Sequence, residues 1–229
     1  MIRSICRWLL LIVIWSSIPA IPQQPVAPPP KPADAGPSRE ATMNFLQDKL
    51  NGQGRVGFVR TASNAGGITE RDYVLFSDVV GDSSSCNLNS TVTVDVSKEV
   101  AEGTTDAQGK PVAQLKIHVV EKGTIPLKYI EKIVVEGLQE HFNRMAAQNA
   151  HPEVVITITP AAFYLEVIAS KPVISFRESS ANNDEAPEVK DRNVPDYGFT
   201  IRDEETANRL AKALTHAVEL CGGGNKDPF

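Results

Sequence analysis

The chain is poor in the residues that most active sites are built from. Of its 229 residues, three are cysteine and two are tryptophan, so most metal-thiolate and redox frameworks are already out of reach. Neither C-x-x-C nor H-E-x-x-H occurs. The four histidines, His118, His141, His151 and His216, stand at no metal-ligand spacing. G-x-S-x-G and S-x-x-K are also absent, which removes the patterned serine hydrolases. No apolar run approaches the ~18 residues that a spanning helix requires. Lys and Arg total 23 against 28 Asp and Glu, a formal charge of −5. That balance opposes a protein that coats nucleic acid by neutralising phosphates. Nothing in the sequence requires a metal or a cofactor. Gly52, Gly54 and Gly57 imitate a phosphate-loop spacing, but they follow a helix and open a strand. That is the reverse of a dinucleotide site, and the kinase H-R-D and D-F-G are missing.

The first segment reads as an address. Arg3 and Arg7 precede the apolar run Trp8–Trp15, and Ser16–Ala20 supplies small residues and Pro19 before a cut after Ala20. This is the order of a secretory signal peptide at 1–20, with an uncleaved anchor as the rival. Cleavage would remove both tryptophans, Cys6 and two arginines, leaving a more acidic mature chain with no transmembrane span. Residues 21–37 hold seven prolines and read as a semi-rigid linker. A single domain is expected over 38–224, with a tail at 225–229.

Within it, Ser38 caps a helix over 39–51, with Met43, Leu46 and Leu50 on one face and Gly52 as its stop. Strands are expected at 55–61, 72–80, 86–97 and 112–120. In the third of these, Cys86, Leu88, Val92, Val94 and Val96 share the inward parity, broken only by Ser90. Residues 129–148 carry β-branched Ile133, Val134 and Val135 before Gly137 but also a helical spacing of apolar residues, so a strand to about Glu136 should give way to an irregular or short helical excursion through Gln148. A strand through Val154, Ile156 and Ile158 follows. Residues 163–169 and 173–177 read as a hairpin around Ser170-Lys171-Pro172, 178–197 as an exposed acidic loop, and 198–202 as a last strand. Asp203 caps the closing helix, in which Ala207, Leu210, Ala211, Leu214, Ala217, Val218 and Cys221 form one apolar stripe. The fold class is therefore α+β, mostly antiparallel. A bent sheet or small barrel of about seven to nine strands is packed by the amphipathic C-terminal helix.

Cys86 and Cys221 both lie on inward faces, in a compartment that permits oxidation. A structural disulfide is expected, with two buried thiols as the alternative. The weak chemical candidates are His118, His141 and the acidic loop around Asp184 and Glu185, whose spacing fits no calcium-loop rule. Asn89-Ser90-Thr91 is a formal glycosylation sequon.

The stretch Asp203–Gly223, with Ala-Asn-Arg, Ala-Lys-Ala and His-Ala-Val-Glu-Leu-Cys-Gly-Gly, resembles the closing helix of a group of uncharacterised secreted bacterial proteins. The resemblance covers about a fifth of the chain. It implies a pleckstrin-homology-like (PH-like) fold and no activity. Transfer of lipid-headgroup binding is not supported, because Arg55, Arg60 and Arg71 are balanced by Glu70, Asp72, Asp78 and Asp82. The leading expectation is a secreted or periplasmic, non-catalytic module for a protein or peptide partner. The alternative is an envelope hydrolase in which His118, His141 and the acidic loop converge, and a third is an assembly role.

Overall fold

A computed structural model describes residues 36–64, 67–99, 109, 114–149, 153–182 and 186–224. The expected signal segment, nearly all of the proline-rich stretch and the tail lie outside the described residues. So do His151, Asp184 and Glu185.

In chain order the elements are α1 (Arg39–Asn51), β1 (Arg55–Asn64), β2 (Gly67–Asp82), β3 (Asn87–Glu99), β4 (Gln114–Pro126), a 3-10 turn (Leu127–Tyr129), β5 (Ile130–Gly137) and α2 (Leu138–Gln148). β6 (Val155–Thr159), β7 (Phe163–Ala169), β8 (Ile174–Asn182), β9 (Glu188–Val194), β10 (Asp196–Ile201) and α3 (Glu204–Leu220) follow. All the pairings are antiparallel. A bent seven-stranded sheet has the order β6-β1-β2-β3-β4-β8-β9, and a three-stranded sheet the order β10-β7-β5.

Period-two alternation decides which face of the large sheet is buried. On β3, Leu88, Val92 and Val96 point inward as their parity requires, and so does Ser90. A buried hydroxyl needs a partner, and Tyr197 of β10 donates its phenol to Ser90 Oγ at 3.3 Å. Burial pushes the Tyr197 phenol up to about 12, so it keeps the proton it donates. Its ring lies so close over Gly123 of β4 that a Cβ there would meet it at 2.8 Å.

The main core lies between this face, the small sheet, α1 and α3. Ala207, Leu210, Leu214 and Ala217 of α3 have no exposed surface, and Val218 little. Burying each leucine contributes about 2 kcal/mol. Asp203 caps α3 by accepting from the Thr206 amide at 2.8 Å, a contact worth ~1 kcal/mol. Gly222, at φ +76, turns the chain out of it. The Ser38 hydroxyl accepts from the Ala41 amide to cap α1. β1 pairs with β2 only as far as Phe76, so the last residues of β2 lack a neighbour on that side. α1 replaces it. Asn51 accepts from the Val79 amide at 2.7 Å and donates to its carbonyl at 2.9 Å, and Gln47 accepts from the Gly81 amide at 3.1 Å.

Several sequence expectations are refined or corrected. Of the bent sheet and the small barrel that the sequence allowed, the bent sheet is found, because the large sheet keeps two edges and does not close; the described strands number ten rather than about seven to nine. Residues 163–169 and 173–177 are not a hairpin: β7 is flanked on both sides, by β10 and β5, so β8 pairs with β4 and β9 in the other sheet. Residues 178–197 are not one loop, because β8 continues to Asn182 and β9 returns beside it. Cys86 precedes β3 in a turn, at a left-handed φ of +58, instead of starting the strand.

Candidate functional site

The sulfurs of Cys86 and Cys221 stand at disulfide distance, 2.08 Å. Cys221 is the C-cap of α3 and Cys86 lies in the turn between β2 and β3. The pair therefore ties the end of the closing helix to the large sheet. Arg39 Nη1 lies 3.6 Å from Cys86 Sγ, and the Cys86 carbonyl accepts from the Leu127 amide at 2.9 Å.

The two candidate histidines are not brought together. His118 is on the outward face of β4, with its Nδ1 2.7 Å from Asp95 of β3, and both side chains are more than half exposed. An exposed pair of this kind contributes little. His141 is different: it lies on α2 against the small sheet. Its Nδ1 is 2.8 Å from Glu136 Oε1 and 3.1 Å from Arg144 Nη2. A carboxylate only accepts, so the hydrogen sits on Nδ1 and points to Glu136. Arg144 Nη2 donates to the same oxygen at 2.6 Å and is 3.8 Å from Glu166 Oε2 on β7. The imidazole lies over Tyr164, with ring centres 3.8 Å apart.

The environment separates the carboxylates. The Arg144 hydrogen bond, reinforced by His141 against the opposing burial, holds Glu136 below the usual glutamate range. Burial pushes Glu166 up, partly countered by Arg144. Burial also raises the Tyr164 phenol, so it remains protonated. A carboxylate that orients an imidazole supplies the base of a nucleophilic site, but among the described residues the network contains no aliphatic hydroxyl or thiol to act as nucleophile. What it does is fasten α2 to β5 and β7.

A pH dependence follows. The depressed Glu136 contributes stability that is complete above the ordinary carboxylate range and lost as the pH falls through its lowered pKa. Glu136→Gln is expected to cost about 1–2 kcal/mol at neutral pH, given that Arg144 is partly exposed. In urea melts the difference from wild type should shrink on acidification below pH ~4. A difference independent of pH would contradict the assignment.

Sequence reasoning named His141 but missed Glu136, Arg144, Tyr164 and Glu166. Glu166 carried a signal: it is the one charge inside the apolar strand Phe163–Ala169.

The edges of the large sheet differ. Among the described residues β6 has only β1 as a strand neighbour, yet its other side is sealed by amides from α2. Asn143 accepts from the Ile156 amide at 3.0 Å, and Gln139 accepts from the Ile158 amide at 3.3 Å. β9, at the opposite edge, pairs only with β8 among the described residues. Its first six residues are exposed and Val194 is half-buried. Its charges are held by neighbours: Asp191 accepts from Arg177 in a two-point contact at 2.7 and 2.8 Å, and Arg192 approaches Glu178. Beside β9, the outer face carries a shallow concavity of about 670 Å³ that includes Arg177, Asp191, Asn193, Lys122 and Val80.

Among the described residues no helix is long and apolar enough to cross a membrane, and no group of three or more His, Cys, Asp or Glu could hold a metal ion. No protein-family model matches the chain, and neither a curated protein nor a solved structure matches it.

Proposed function

We propose that the protein is an exported, non-catalytic interaction module that takes an extended segment of a partner protein along β9. The observation that carries this reading is the contrast between the edges: α2 side chains cap the backbone of β6, whereas β9 presents its outer row of N–H and C=O groups with no strand beside it among the described residues. An added strand would gain main-chain hydrogen bonds there, with side-chain contacts deciding which sequence is accepted. Val189 is 53% exposed on β9 and offers an apolar contact. The outer concavity adjoins the same edge.

Export is supported by the pattern of residues 1–20 and by the cysteine pair, since such bonds persist in oxidising compartments. The residue pattern of α3 supports kinship with the PH-like group. The convergence of His118 and His141 that the hydrolase reading called for has no support here, since among the described residues they share no partner.

Selection of random peptides against the folded protein tests the reading. Successive N–H groups of a strand point to opposite edges. One of Val189→Pro and Lys190→Pro therefore removes an outward donor and spares the β8 ladder. That variant should stay folded and lose at least about tenfold in affinity for the selected peptides. Peptides that bind both folded variants as tightly as wild type would overturn the proposal.

A further inference from the structure

Charge along β1 and β2 looks balanced in sequence, but the alternation of the strands sorts it by face. Arg60 of β1 stands directly opposite Arg71 of β2, and Arg71 directly opposite Lys98 of β3. Asp72 and Asp78 have the other parity and point outward. The three cations thus form one row across three neighbouring strands, on the face that carries Phe58 and Tyr73. Adjacent strands are ~4.8 Å apart, so the row is about 10 Å long.

Like charges directly opposite each other destabilise a sheet. Among the described residues no carboxylate pairs with Arg60, Arg71 or Lys98. The Nε atoms of both arginines are buried and have no acceptor among the described residues. Buried donors are nearly always satisfied in folded proteins. The Arg60 guanidinium is also fixed in place, with its carbon 4.9 Å from the Phe142 ring centre and 5.6 Å from that of Tyr73. Burial lowers the Arg60 pKa, and the neighbouring Arg71 adds to that effect against the opposing Tyr73. Both costs would be relieved by one guest: an acceptor carrying more than one negative charge.

We propose that Arg60, Arg71 and Lys98 form a binding site for a small multivalent oxyanion free in solution. Guanidinium groups match the planar, two-point geometry of phosphate and carboxylate oxygens. A monovalent anion would leave most of the row uncompensated. A membrane surface is the less suitable source, because both Nε donors are buried, and the Arg60 guanidinium lies against Phe142 of α2 rather than on a projecting loop.

The test uses the folded protein, inorganic pyrophosphate and citrate as probes, sodium chloride at matched ionic strength as control, and phosphatidylserine vesicles as a separate arm. Either probe, at a hundredfold excess over its Kd, should raise Tm by about 5 °C. In NMR spectra it should shift the arginine Nε–H signals of Arg60 and Arg71 and slow their exchange with water. Arg60→Gln with Arg71→Gln should abolish both responses. Should that variant fail to fold, the wild-type Nε–H signals decide alone. Nε–H signals that neither probe moves at millimolar concentration would overturn the proposal, as would vesicle binding with no response to the free anions.

Discussion

Reduction of the Cys86–Cys221 pair, or its replacement by two alanines, is expected to lower stability by about 5 kcal/mol. The figure follows from the sequence separation of 135 residues: in the chain-entropy model, releasing a loop of that length restores this much freedom to the unfolded chain. For a domain of this size Tm should fall by at least 10 °C or so. The position of the bond gives the loss a direction. Cys221 ends α3, whose apolar stripe rests on the small sheet and α1, and Cys86 sits where β2 turns into β3. Reduction should therefore fray the last turn of α3 first, while Asp203 still caps its start. Thermal melts with and without reductant measure the total, and amide exchange at Ala217 and Val218 reads the local effect. A reduced protein that melts with the oxidised one would contradict this account.

Phe199→Ala should be the most damaging single core substitution, at about 3–5 kcal/mol. Phe199 heads the large, fully buried side chains and is 1% exposed. It lies on β10, directly opposite Leu165 of β7, and its ring meets Tyr197 edge-on with centres 5.3 Å apart. It packs with Leu210 and Leu214 of α3 in the same core. Truncation would leave a cavity between sheet and helix that neither can close. Phe199→Leu retains most of the apolar volume and should cost roughly half as much. Equal melts for the two variants would show that the site collapses freely.

The helices were legible because their ends are written in side chains. Ser38 and Asp203 are caps, and α1 begins and ends where the sequence placed it. The change from β5 to α2 at Gly137 was also visible, since Ile133, Val134 and Val135 resist helix and Gly137 enters α2 in an extended conformation. Pairing was less legible. The turn Ser170-Lys171-Pro172 looks the same whether the chain reverses within a sheet or crosses to another. Which occurs depends on β10 and β5 having taken both sides of β7. β9 was hidden for a different reason: an edge strand exposed on nearly every residue has no inward parity to betray it. The arginine row was masked by the opposite error. Counting charge along 55–82 cancels arginines against aspartates that the pleat places on opposite faces.

Among the described residues one edge of the large sheet is sealed by side chains and the other is open. Native-state hydrogen exchange of backbone amides measures this without any partner. The amides of Ile156 and Ile158, held by Asn143 and Gln139, should be protected although β6 is an edge strand. Along Glu188–Val194, every second amide should exchange at close to the unprotected rate and its neighbours slowly. Uniform protection along β9, or rapid exchange at Ile156 and Ile158, would contradict the account.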